Sequence, residues 1–191
     1  PGRYSVSTSF VGFFTENVGP LFPQVDPEMR LRLPDEVGLP VLTTTTLLTL
    51  DFLQALPAVQ REDEPEMRYV VLEGLSGAEG RLRILHGRMF SPATPDGTIE
   101  VVVTEEAFRK LDLLLDEVYI VTDLRELLDE PLRVKVVGIF GMADPGDPWW
   151  FHSLANYGIS LIADYGLARS RFGDSSSPLL TGATWSWAFD Y

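Results

Sequence analysis

Two histidines, His86 and His152, and no cysteine make up this chain's supply of nitrogen and sulfur ligands. Without cysteine there is no disulfide framework, no thiolate nucleophile and no cysteine-based zinc site. The histidines occur in neither an HExxH nor an HxH arrangement, so no metal site is expected. A Ser-His-Asp triad is set by geometry and not by chain order, but no G-x-S-x-G elbow is present. Asp190 and the serines of the tail read as ordinary loop polars. Glu100, Glu105 and Glu106 are the nearest approach to the carboxylate pair of a glycoside hydrolase. Glu105 and Glu106 are better placed as first-turn acids favoured by a helix dipole, and Glu100 begins a strand. The run Gly74-Leu75-Ser76-Gly77-Ala78-Glu79-Gly80 lacks both the Lys-Ser/Thr of a P-loop and G-x-G-x-x-G spacing. The expectation is a chain with no catalytic residue, no metal and no cofactor, not an enzyme.

Aromatic residues are the other chemical signal. All four tryptophans lie late in the chain, in Trp149-Trp150-Phe151 and in Trp185-Ser186-Trp187. Alternation on a strand puts Trp185 and Trp187 on one face, a candidate interaction surface for a saccharide or peptide. Burial is the commoner use of such large apolar area.

The elements that would position these residues belong to an ordinary globular composition. The 191 residues are 45% hydrophobic and 23% charged, and a chain this long buries roughly 70% of its unfolded surface. The net charge of −13 argues against nucleic acid as a partner, since phosphate binding needs a basic surface. It also disfavours lying flat on an anionic membrane. No apolar run reaches the ~20 residues of a membrane helix. The chain starts at Pro1 with no signal peptide, and the expected reading is a segment of a longer protein.

Along the chain, Tyr4 to Phe10 alternates like a strand. Gly19-Pro20 and Phe22-Pro23 are expected to break any helix there. Asp26-Pro27-Glu28 reads as a helix start with Asp26 as N-cap. Thr43 to Thr46 favour extended backbone. Thr49 is expected to cap a short helix running to Leu56 and ended by Pro57. Glu62 to Glu66 is an acidic turn, and Pro95-Asp96-Gly97 is a turn with the right chemistry. Strands are expected at Arg68–Leu72, Arg81–Leu85, Ile99–Val103, Val118–Val121 and Leu132–Phe140. Thr104 caps a helix through Leu111. Ile99–Val103 and Val134–Phe140 are too apolar for water-facing edges, so they belong in one sheet with that helix packed on it. Many short strands, few short helices and no regular βαβ alternation give an α+β fold with a mixed sheet.

Four segments taken in order, Gly87-Arg88-Met89-Phe90, Ile99-Glu100-Val101-Val102-Val103-Thr104, Val134 to Phe140 around Gly138, and Asp144-Pro145-Gly146-Asp147-Pro148-Trp149-Trp150, carry a resemblance. They resemble the "GR.F", "vvvteeaa", "v.VvGif" and "D..DPYW" elements of the extracytoplasmic core domain of FtsX-like, MacB-type ABC-transporter permeases. Thr184 to Asp190 is similar to a later "a.W.y.lD" strand. The family's "lGl.vGd" turn is changed, with Asp112 and Asp116 in place of both glycines. Asp tolerates positive φ better than most residues.

The resemblance implies a core over 47–191, with 1–46 an N-terminal extension or part of a first lobe, in a family whose domains often have two lobes. It implies structural roles for Gly87, Arg88, Phe90, Gly138, Asp147, Pro148, Trp149 and Trp150. Gly87 is expected where a side chain would clash or φ is unusual, Phe90 to be buried, and Arg88 to meet a carboxylate or carbonyls. The implied function is mechanical and non-catalytic. The domain sits on the extracytoplasmic face of the bacterial cell membrane as part of an integral membrane protein. It relays motion between membrane and ATPase parts and an outer substrate or partner. The implied partners are its own membrane helices, a cytoplasmic ATPase subunit and a second permease or extracytoplasmic protein. A secreted binding module using the tryptophans is the alternative, and a carboxylate hydrolase a third.

Overall fold

Runs of β-branched and aromatic residues set nine strands, which join one mixed sheet. The computed structural model describes residues 3–11, 18–59, 67–92, 94–124, 126–128 and 130–190. The strands are β1 (Arg3–Val11), β2 (Val41–Pro57), β3 (Arg68–Leu75), β4 (Leu82–Gly87), β5 (Ile99–Thr104), β6 (Val118–Asp123), β7 (Leu132–Met142), β8 (Ser160–Asp164) and β9 (Leu180–Asp190). The helical pieces are α1 (Phe22–Pro27), a π turn (Glu28–Arg32), α2 (Leu33–Val37), α3 (Glu105–Lys110), a 3-10 turn (Leu154–Tyr157), α4 (Tyr165–Ala168) and a second π turn (Arg169–Gly173). The fold is α+β.

The strand order is β1-β9-β2-β3-β8-β5-β7-β4. β6 adds to both β2 and β7. The hydrogen-bonded path β2-β3-β8-β5-β7-β6 therefore returns to β2. This closed circuit holds the main core, including Leu53, Val70, Val101, Val103, Tyr119, Val134, Val136 and Leu161. A second cluster lies on the other face, around Leu75, Val102, Val137, Phe140, Trp149, Tyr157 and Ile162. β5 is buried along its whole length, because Val101 and Val103 face one cluster and Val102 the other. β5 and β7 are parallel neighbours, so the two apolar runs share one sheet as expected. Thr104 caps α3, its Oγ1 accepting from Ala107 N at 3.1 Å.

Three local expectations change. No helix runs from Thr49 to Leu56, because β2 is one strand of 17 residues. Pairing with β9, β3 and β6 satisfies its backbone on both sides, which outweighs a weak local capping signal. The division after residue 46 falls inside this strand. Second, the first helix starts at Phe22 and not at Asp26. Pro23 sits in the first turn, where its missing N–H costs nothing. The helical strap then passes Pro27 and Pro34 through a π turn and ends at Gly38 with φ +69°. Third, Phe90 is half-buried against the second cluster and not fully inside. The acidic turn Glu62–Glu66 lies outside the described residues.

Asp112 and Asp116 adopt φ of +46° and +65°, the left-handed backbone region that glycine enters most readily. Asp116 N donates to Val136 O at 2.7 Å. Its carboxylate meets Lys135 Nζ at 2.9 Å, and that hydrogen bond holds its pKa below the ordinary aspartate range.

Candidate functional site

The residues singled out in sequence fall into three braces, each tying together parts of the chain far apart in sequence. The first is at Gly87-Arg88. Between β5 and β7 the register slips, so that Val101 faces Val136 while Val102 faces Gly138. Val137 is the extra residue of this bulge. Its carbonyl accepts from Arg88 N at 2.8 Å. Gly87, opposite Gly138 in the register, has φ +74°. A side chain there would clash with the Val137 carbonyl, and one on Gly138 would clash with the Arg88 carbonyl. The two glycines let β4 end against the bulge.

Arg88 then reaches across β7 to β5. Its guanidinium grips Glu100 with both terminal nitrogens, Nη1 donating to Oε2 at 2.6 Å. Ser91 N adds a third donor to the same carboxylate at 2.8 Å. Glu100 is 7% exposed. The Arg88 hydrogen bonds hold its pKa below the ordinary glutamate range, against the opposing effect of burial. The carboxylate is thus a strut between strands, which leaves it unsuited to a general-base role.

This geometry carries a pH-dependent expectation. A folded-state pKa below the unfolded value of about 4.3 contributes stability above that value and loses it as pH falls through the folded pKa. Arg88→Ala should cost about 1–3 kcal/mol at neutral pH, because a nearly buried carboxylate loses its partner while Arg88 itself is half solvent-exposed. The gap from wild type should narrow in acid below about pH 4. Urea titrations of both proteins at neutral and acid pH measure it; a gap unchanged in acid would sever Glu100 from the effect.

The second brace is Asp147-Pro148-Trp149-Trp150, in the connection after β7. Asp147 Oδ1 accepts from Trp149 N at 2.9 Å, an Asx turn stiffened by Pro148. Oδ2 accepts from Arg81 Nε at 2.9 Å. Arg81 also lies over the Trp149 ring, 5.4 Å from its centroid. Trp149 is 2% exposed, and its Nε1 donates to Ser76 O at 3.2 Å. Trp150 meets it edge-on, with centroids 4.8 Å apart. Trp150 is half-buried, and its Nε1 has no partner among the described residues. The brace holds the β3–β4 loop to the β7–β8 connection, which continues into the 3-10 turn with Tyr157 buried.

The third brace was not legible as one. Trp185 and Trp187 are each 1% exposed: they serve burial, the commoner use of such area, which corrects the candidate interaction surface. The helical strap covers them. Phe22 stacks on Trp185, with centroids 6.1 Å apart and planes 11° from parallel. Trp185 Nε1 donates to Asp26 Oδ1 at 2.9 Å. Asp26, 1% exposed, also meets Arg169 at 3.2 Å and Arg30 at 3.8 Å. The cavity beside the two indoles is only about 110 Å³, far below the 300–1,000 Å³ of usual ligand pockets. The proline-bounded strap hid this brace from sequence reading; only the acceptor geometry of Asp26 identifies it.

Of the residues weighed for chemistry, Glu105 and Glu106 line one cavity of about 430 Å³ with Arg83 and Arg109, while Glu100, His86 and His152 lie outside its lining. His86 is exposed on β4 and His152 half-buried beyond Trp150. Glu105 and Glu106 are exposed in the first turn of α3. Among the described residues, no three His, Cys, Asp or Glu side chains are grouped to hold a metal ion. No helix among them is long and apolar enough to cross a membrane.

No protein-family model matches the chain, and no curated protein does. Among solved structures, the chain is similar to a crystallised domain from Porphyromonas gingivalis named as part of a permease protein. The match has a TM-score of 0.44 and 11% identity over 83% of this chain and 61% of that one. The chain thus spans less than two thirds of that domain's length, and superposition at this level assigns no function by itself.

Proposed function

We propose that the chain is a non-catalytic extracytoplasmic domain of an FtsX-like, MacB-type ABC-transporter permease. In this reading it relays movement between the membrane and ATPase parts and an outer substrate or partner. The observation that carries the reading is the pairing of β1 with β9. Arg3 lies opposite Asp190, and the strands stay in antiparallel register to Val11 and Gly182. The first and last described strands thus run side by side, and a domain set between two consecutive membrane helices needs its entry and exit close together. The three braces support the same reading. A relay must pass displacement on without deforming, and each brace ties separate strands or loops with ionic contacts, joined in the second and third by aromatic ones. Arg88 is engaged with Glu100, Arg81 with Asp147 and the Trp149 ring, and Asp26 with Trp185. The partners are then the protein's own membrane helices, a cytoplasmic ATPase and a second permease or outer partner, with no nucleic acid and no cofactor.

The test is fractionation of the full-length parent protein. It should sediment with membranes and copurify with an ATPase subunit. This domain should be cut by added protease in spheroplasts and protected in inverted vesicles. A parent recovered in the soluble fraction, or cut only in inverted vesicles, would overturn the reading.

A further inference from the structure

Arg68, Arg81, Arg88 and Arg169 each meet a carboxylate of the same chain. Arg83 on β4 and Arg109 on α3 do not. Both are exposed, and both line the cavity of about 430 Å³ that Glu105 and Glu106 also line. Among the described residues none of these four side chains forms an ion pair; Arg109 Nε donates to the Glu105 carbonyl of its own helix at 3.2 Å. The floor between the charges is apolar. Leu85, Met142 and Leu154 line it and are half-buried. Gly141 lies opposite Arg83 in the β4–β7 register. The nearest atom to a Cβ built on it belongs to Leu85, at 3.6 Å, so the missing side chain keeps the floor open. The volume falls in the 300–1,000 Å³ range of usual ligand pockets.

We propose that this cavity binds a free α-amino acid with an apolar side chain. Its four charges select against simpler ligands. A carboxylate alone gains Arg83 and Arg109 but faces Glu105 and Glu106, and an amine alone meets the reverse. A neutral apolar molecule would strip water from all four charges and pair none of them. A zwitterion satisfies both signs at once. Its net charge is zero, so the −13 of the chain does not repel it. The guanidinium forks of Arg83 and Arg109 match a carboxylate, and the carboxylates of Glu105 and Glu106 accept from an ammonium group. An α-amino acid carries both groups on one carbon, from which an aliphatic side chain can lie against Leu85, Met142 and Leu154. This assignment does not depend on the permease reading.

Titration of the 191-residue chain with leucine, followed by calorimetry and methyl NMR, tests this. Leucine should bind with a Kd below about 1 mM and shift the methyl resonances of Leu85, Met142 and Leu154. Isocaproate, which is leucine without its amino group, and isoamylamine, which is leucine without its carboxyl group, should each bind at least ~10-fold more weakly. Arg83→Gln and Arg109→Gln should each weaken leucine binding at least ~10-fold, and so should the pair Glu105→Gln with Glu106→Gln. All four side chains are exposed, so these variants should melt near wild type. Three results would refute the proposal. One is no saturation by about 10 mM leucine. Another is equal binding of N-acetyl-leucinamide, which keeps the side chain and lacks both charges. The third is leucine binding that both arginine variants leave unchanged, or that shifts only resonances away from the cavity.

Discussion

Trp185→Ala is expected to destabilise the protein by about 3–5 kcal/mol, in the range for emptying a core aromatic site. Two losses add at this position. The ring is fully buried between the sheet and Phe22, and its Nε1 is the closest donor to Asp26, itself 1% exposed. Trp185→Phe separates them. It keeps an aromatic ring against Phe22 and removes the donor, so it should cost about 1–3 kcal/mol. Denaturant unfolding of both variants gives the two values. If the exposed-platform view of the tryptophans were right, neither substitution would move the midpoint by more than a surface change does, about 0.5 kcal/mol. A released strap would also raise acrylamide quenching of the remaining Trp187.

Gly87→Ala should cost roughly 3–5 kcal/mol, from positive-φ strain together with a collision against fixed backbone. Gly80 provides the control. Its φ is also +74°, yet nothing lies within 4 Å of a Cβ built there. Gly80→Ala should therefore show the strain alone, about 1–2 kcal/mol. The difference between the two is the contact with the Val137 carbonyl at the bulge. Equal losses would mean that β4 shifts easily and that Gly87 matters only for its dihedral angle. A larger loss at Gly87 would make the bulge a rigid point of the sheet, from which Arg88 is aimed at Glu100.

How far the sequence could be read depended on how far each cause reached along the chain. β5 and β7 were legible because continuous β-branched runs admit few alternatives. The Asp112 and Asp116 turn was legible because aspartate is among the residues that tolerate positive φ, and both sites adopt it. The α3 cap was legible because Thr104 and Ala107 are three residues apart. Chemistry excluded by composition, above all thiol and disulfide chemistry, also needed no coordinates.

What the sequence could not decide was set by partners far away in it. Thr49 to Leu56 reads as a capped helix alone and becomes strand because β9, β3 and β6 line both its sides. β6 looks like any short strand, yet it closes the circuit between β2 and β7. Phe22 to Val37 carries three prolines and seems broken, but covering Trp185 and Trp187 removes enough apolar surface to hold it helical through a π turn. Asp26 looks like a helix cap and is instead a buried acceptor for an indole 159 residues later. Local dihedral preferences of a few tenths to about 1 kcal/mol per residue are written in the sequence. Burial and long-range pairing act at several kcal/mol per site, and only the folded arrangement of strands says where they fall.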